Sequence, residues 1–249
     1  MDFQTIVYEE LTSSNDEAKR LAANGAAEGV VVRVLHQSAG RGRQNRVWSG
    51  TRGDCLMFSI ILRPELKATD ASVWTLVAGL GVCRALSRFV EGPVHVKWPN
   101  DIIADGRKIC GILSEQSAAG EYVRHLVTGI GVNVNQDAFA AELQDKAVSM
   151  RMLTGMVPDT DAVLAAILSE LDVLYARFTG EGFAALMDAY NKVCVNVGAE
   201  VQVLRARDTL LGVARGVDAD GCLLVETPGG LVRVFSGEAS VRLADGRYV

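Results

Sequence analysis

The chain has 249 residues, 49% of them hydrophobic and 22% charged, with a net charge of −5 at pH 7. That is enough apolar chain for a sizeable core in one large domain, or in one domain with a small appendage, and too little charge for global disorder. The acidic balance excludes bulk attraction to nucleic acid or acidic membrane, so any basic function must be local.

The opening MDFQTIVYEE carries acidic residues and no apolar h-region, so it does not read as a signal peptide. Residues Phe3–Tyr8 form the first expected strand. A helix is expected at SSNDEAKRLAANG, where Ser13, Ser14 or Asn15 can cap and Gly25 follows the end. Further strands are expected near Val30–Leu35 and Cys55–Leu62. The second of these is the longest strongly apolar run and is too short to span a bilayer. A helix follows from about Asp70 to Phe89. Strands are then expected near Val94–Lys97, Lys108–Glu115 and Val123–Val134. Two more helices cover about Thr160–Phe178, with Val163, Ile167, Leu171 and Leu174 on the apolar stripe, and Phe183–Val193. After Val195 the pattern changes to short alternating strands, with turn signals at Asp218–Gly221 and Pro228–Gly230 and a further one at Arg207–Asp208.

This order reads as a mixed α/β body, a helical segment and a small all-β unit of barrel or sandwich type. The five cysteines (Cys55, Cys83, Cys110, Cys194, Cys222) are scattered without a CxxC pair, and His36, His95 and His125 lack metal-ligand spacing. Small buried thiols in a reducing cytoplasm are expected.

Four segments carry polar residues that a core does not need. In SAGRGRQNRVW, Gly40 and Gly42 permit a sharp turn and close approach to a ligand. Arg41, Arg43 and Arg46 bring planar forks for phosphate or carboxylate, and Trp48 brings a flat face. Alone, this stretch suits an anion, RNA or only solvent. In VKWPND, Lys97, Asn100 and Asp101 end a short strand, and Pro99 fixes the bend. Alone, that is a polar turn with Trp98 as core. In GRKICGILSE, Lys108 enters a strand beside the small residues Cys110 and Gly111, and either holds an anion or snorkels. TGIGVNVN offers glycines and Asn133 but lacks the third glycine of a dinucleotide fingerprint.

Taken together and in this order, SSN, GRGRxxRxW, KWPND, KxxGIL-E and GIGVNVN resemble the biotin protein ligase family over essentially the whole chain. The C-terminal GVARGVDADGCLLVE…VRVFSGEASVRL is similar to that family's SH3-like domain. The resemblance implies an α+β fold: a class II aminoacyl-tRNA synthetase/biotin ligase-like catalytic domain (residues 1–195), with a mixed sheet flanked by helices, and a C-terminal SH3-like small β-barrel (residues 196–249). It is to the monofunctional class, which lacks an N-terminal DNA-binding domain. It implies ATP-dependent ligation of biotin to a lysine of biotin carboxyl carrier protein through biotinoyl-5'-AMP. ATP and Mg²⁺ are the expected cofactors. The expected partner is the carrier of acetyl-CoA carboxylase or another biotin-dependent carboxylase, with no DNA and no membrane. A cytoplasmic monomer or homodimer is expected.

The resemblance also assigns roles at matching positions. Ser13, Ser14, Asn15 and Gln37 match contacts to the ureido ring. Gly40, Arg41, Gly42 and Arg43 match the loop covering biotin and its adenylate, with Arg43 retaining the adenylate. Gly111 and Ile112 line the biotin pocket. Lys108 matches the lysine on the biotin carbonyl and α-phosphate. Asp101 either orients the acceptor lysine or helps with Mg²⁺. Arg46, Trp48, Lys97, Asn100 and Asn133 are nucleotide contacts. Lys108, Arg43 and Asp101 are thus the catalytic candidates. The C-terminal unit closes over ATP or docks the carrier, with Arg242 as its candidate contact.

Two positions depart from the family pattern. Asn45 stands where glycine is frequent, and Asn tolerates a left-handed backbone. Cys110 stands where Ala or Gly is usual and is expected to narrow the pocket wall. The loop is expected to order over its ligand. A lipoate ligase or octanoyltransferase is disfavoured by GRGRxxRxW with KWPND. A non-enzymatic nucleotide- or RNA-binding module leaves Lys108, Asp101 and SSN unexplained.

Overall fold

The computed structural model describes every residue except Ser49, Thr51, Ala206, Arg207, Gly246 and Val249, and describes Asn45, Glu238 and Ala239 by backbone alone. The turn expected at Arg207–Asp208 therefore falls partly outside the described residues.

The chain opens with β1 (Gln4–Leu11), α1 (Ser14–Ala23), β2 (Val30–Gln37) and β3 (Cys55–Leu62). There follow α2 (Ala68–Ala71), α3 (Trp74–Leu86), β4 (Val94–Lys97), β5 (Asp101–Ala104), β6 (Arg107–Ala119) and β7 (Tyr122–Asn133). These seven strands form one sheet in the order β1-β2-β3-β7-β6-β5-β4. Its first pair is parallel and the others are antiparallel, so the sheet is mixed.

Both faces of the sheet are covered at β2 and β3, which explains why Val30–Val32 and most of β3 are apolar without alternation. Val30, Val32, Ile61 and Val127 face α1, packing on Ala18 and Ala22. Val31, Ile60, Leu62 and Ile130 point the other way, into the main core with α3. Beyond β7 come α4 (Met150–Thr154), α5 (Thr160–Glu181) and α6 (Ala184–Val193), and both α5 and α6 pack on α3. Asp159 caps α5 by accepting from the amides of Asp161 and Ala162.

The rest of the chain forms β8 (Glu200–Arg205), β9 (Thr209–Val217), β10 (Leu223–Thr227), β11 (Gly230–Val234) and β12 (Ala239–Leu243). They make an antiparallel sheet in the order β11-β10-β9-β8-β12. This second sheet is stitched to the first at the KWPND segment. Val195 N donates to Val96 O at 2.9 Å, Trp98 N to Asn196 Oδ1 at 2.9 Å, and Trp98 Nε1 to Gly221 O at 3.1 Å. Trp98 is thus core, shared by both sheets.

Three expectations are corrected. The helix expected over Asp70–Phe89 breaks at Ser72–Val73 into α2 and α3 and ends before Phe89. Neither β5 nor α4 is foreseen by periodicity; each is only four or five residues long. At the start of α1 Ser13 holds the cap position, but its side chain makes no capping bond. Among the described residues, no helix is long and apolar enough to cross a membrane.

Candidate active site

The predicted residues, all but Gly40, converge on one cavity of about 490 Å³. It lies between the start of α1, the Gly40–Trp48 loop, β6, β7 and the edge strand of the second sheet. A larger depression of about 650 Å³ lies on the outer side of that loop, and its lining lacks Lys97, Asp101 and Lys108.

At one end the polar SSN segment is locked by the sheet beneath it. Ser59 Oγ on β3 lies 2.7 Å from Ser14 Oγ and 2.6 Å from Asn15 Oδ1. Asn15 Nδ2 donates to Leu113 O at 3.2 Å and to Glu115 at 2.7 Å. Gln37 Oε1 accepts from the Ser14 amide at 2.7 Å. These side chains therefore serve the cavity wall, which is why they do not cap the helix. A buried amide with this many partners keeps one rotamer, so Asn15 holds the shape of the cavity wall and has both amide hydrogens spent on the protein.

The Gly40–Trp48 loop is a small hairpin. Trp48 N donates to Gly40 O at 2.9 Å and Gly42 N to Arg46 O at 2.7 Å. The left-handed residue is Gln44, at φ 55°, and not Asn45 as expected. Arg41 pairs with Asp16 on α1. Arg43 donates to Asn100 Oδ1 at 3.3 Å and to the Ser236 carbonyl of the second sheet's unit. The exposed Arg46 lines the cavity. Gly40 does not. It is buried, and a Cβ there would strike the Trp48 carbonyl, so its role is to close the hairpin. The Trp48 ring lies flat against strands β6 and β7. A Cβ on Gly131 would come within 2.5 Å of Trp48 Cε2, and one on Gly111 within 3.0 Å of Cζ3.

The charged centre comes from the β4–β5 turn and the start of β6. Lys108 Nζ stands 2.5 Å from Asp101 Oδ1 and 5.5 Å from the Trp48 ring centroid. Tyr248, from the C-terminal tail, donates its hydroxyl to the other Asp101 oxygen. Burial pushes the Asp101 carboxyl up, but Lys108 and Lys97 beside it and the hydrogen bonds from Lys108 and Tyr248 outweigh that, holding it below its ordinary range. Lys97 is 3% exposed and donates to Val241 O at 2.9 Å on β12. Burial pushes its ammonium down to about 7. Burial also lowers Arg43 below the ordinary guanidinium value.

Asn100 and Asn133 line the cavity but spend their amides on the protein. Asn100 Nδ2 donates to Ile112 O at 2.8 Å. Asn133 Nδ2 donates to Lys108 O at 3.3 Å and to Val148 O at 3.2 Å. Ile112 lines the wall with Gly111, whereas Cys110 faces the main core and does not line the cavity, so it does not narrow the pocket. All five cysteines are buried and unpaired, and burial pushes Cys55 and Cys83 up to about 12, too high for nucleophiles.

Several lining residues escape sequence reasoning. Ser59 hides inside an apolar strand. Phe139 and Leu143 lie in a segment without periodicity, and their only signal is two apolar side chains in a polar stretch. Tyr248 lies outside every motif. Among the described residues, no group of three or more His, Cys, Asp or Glu side chains could hold a metal ion.

A model of the biotin/lipoate A/B protein ligase family matches residues 8–133, and a model of the biotin protein ligase C terminal domain matches residues 197–242. The bifunctional ligase/repressor BirA of Bacillus subtilis is 34% identical over 238 residues, covering 94% of this chain and 73% of that protein. The biotin–[acetyl-CoA-carboxylase] ligase of Mycobacterium tuberculosis is 32% identical over 241 residues, covering 94% and 88%. The structure of biotin protein ligase from Aquifex aeolicus in complex with biotin and ATP superposes with a TM-score of 0.84 at 29% identity, over 97% of this chain and 99% of that one.

Proposed function

The chain belongs to the biotin/lipoate A/B protein ligase family, and from that premise we propose that it activates biotin with ATP and passes it to a lysine of a carrier protein. The carrier is a biotin carboxyl carrier protein, of acetyl-CoA carboxylase or another biotin-dependent carboxylase. The names of the relatives in Mycobacterium tuberculosis and Paracoccus denitrificans support that choice. The observation that carries the reading is the run of groups along β6. Asn15 meets the strand at Leu113, Trp48 at Gly111, and Asp101 pairs with Lys108 at its start.

A carboxylate is a poor electrophile, so it needs activation. A biotin carboxylate oxygen attacks the α-phosphorus of ATP, the bond to the pyrophosphate oxygen breaks, and biotinoyl-5'-AMP forms. Two anions must meet for this, and Lys108 with Arg43 offsets their repulsion from fixed positions. The Ser14, Asn15 and Gln37 groups hold the ureido ring. Trp48, with Phe139 and Leu143 in the same lining, encloses the nucleotide end.

The protein fits Mg²⁺ only as a companion of the phosphates, because among the described residues Asp101 belongs to no group of three or more ligating side chains and is already paired with an ammonium. An ion bound with the phosphates would supply charge neutralisation for the departing pyrophosphate. Asp101 is left to orient the acceptor lysine.

Biotin-dependent exchange of labelled pyrophosphate into ATP tests the reading. Exchange with lipoate and none with biotin would overturn it. Lys108→Ala is expected to lower exchange about 100-fold or more, the scale of removing one fixed donor from a developing charge.

A further inference from the structure

We propose that Tyr248 is a positioning residue for the acyl-transfer step: its hydroxyl holds the Asp101 carboxylate in the orientation that receives the acceptor lysine. This rests on the ligase reading above.

The tail is built into the fold. Leu243 N donates to Arg247 O at 3.0 Å, and Asp245 accepts from the Arg247 amide at 2.9 Å, so the chain turns back after β12. Two basic side chains then lie against the Tyr248 ring. Lys97 Nζ lies 4.0 Å from its centroid and the Arg242 guanidinium 4.9 Å. Its placement therefore does not depend on its hydroxyl, which is free to serve Asp101.

Asp101 has both oxygens occupied, Oδ1 by Lys108 and Oδ2 by Tyr248. The partners differ in permanence. Lys108 is needed at the acyl phosphate, so it must leave Asp101 when the adenylate fills the cavity. Tyr248 has no competing duty. A carboxylate turns easily about its terminal torsion. With Tyr248 on Oδ2, Oδ1 stays directed at the place Lys108 vacates.

In the step that follows, the acceptor lysine's ammonium pairs with Asp101, which orients it, and yields its first proton to water. The amine then attacks the carbonyl carbon. A C–N bond forms, the C–O bond to the phosphate breaks with its electron pair leaving on AMP, and the nitrogen releases its second proton to water.

Tyr248→Phe keeps the ring against Lys97 and Arg242 and removes only the hydroxyl. Enzyme loaded with biotinoyl-5'-AMP is mixed with carrier domain, and pyrophosphate exchange is followed in the same preparation. The kcat of transfer is expected to fall about tenfold more than exchange does, with KM for the carrier within about twofold. Tyr248→Ala, which also uncovers Lys97 and Arg242, is expected to lower both half-reactions. Unaltered transfer by Tyr248→Phe, an equal fall in both half-reactions, or a change confined to KM overturns the proposal. So does faster transfer by Tyr248→Ala, which marks the tail as a plug. Absence of biotin-dependent exchange in the unaltered enzyme instead overturns the ligase reading.

Discussion

At the residue scale, Lys97 is a buried group whose charge is set by its surroundings. Burial carries it down to about 7, with Asp101 opposing and Arg242, Lys108 and Arg46 assisting. Its folded value lies below the ordinary 10.5, so between about 7 and 10.5 the unfolded chain binds more protons. The cost of burying this ammonium is thus fully present below about pH 7, and stability rises as pH climbs through that window. On the proposed reading a triphosphate beside Nζ favours the charged form, so ATP binding is expected to take up a proton. ATP affinity is expected to fall from pH 7 to pH 9. Titration calorimetry in two buffers of different ionisation enthalpy measures the uptake. Lys97→Met is expected to remove it, and an unchanged uptake would place it on another group.

At the scale of elements, the Gly40–Trp48 hairpin is the part whose arrangement depends on its neighbours. Arg43 links it to Asn100 and to Ser236. Arg43→Ala is expected to let biotinoyl-5'-AMP escape about tenfold faster, the scale of one charge-assisted hydrogen bond. The readout is biotin on bystander lysines of an added inert protein. Gly131→Ala forces the Trp48 ring off β7 and is expected to raise KM for ATP while sparing biotin affinity, measured by steady-state exchange.

How far such elements can be read without coordinates follows from how local their causes are. β3 is legible to its ends because a run buried on both faces leaves no alternation to misplace. β5 is invisible, since four residues directly after a proline turn carry no period. The SSN segment misleads for a tertiary reason: Ser14 and Asn15 have the chemistry of helix caps, yet Ser59, forty-four residues from Asn15 in the chain, takes their side chains instead. The charged site residues are legible because motif order keeps them together. Tyr248 is not, because only the fold brings the tail to Asp101.

At the scale of the whole molecule, the Trp98 contacts are one of the links that join the two sheets. Asn196 accepts from the buried amide of Trp98, the residue next to Lys97. Asn196→Ala leaves that amide unpaired and is expected to cost about 1–3 kcal/mol, read as a lower urea midpoint with the slope unchanged.

The placement of the three tryptophans has an optical consequence. Trp74 and Trp98 are 0% and 1% exposed, each with its indole nitrogen hydrogen-bonded in the core. Trp48 alone rides on the hairpin, against two glycines and near the Lys108 ammonium. Trp98 also lines the cavity, through its KWPND turn, but it is held in the core, so a ligand that shifts the hairpin changes the environment of Trp48 most. The protein thus carries its own emission signal for occupancy of the cavity, and stopped-flow mixing can time biotin and ATP arrival without a dye.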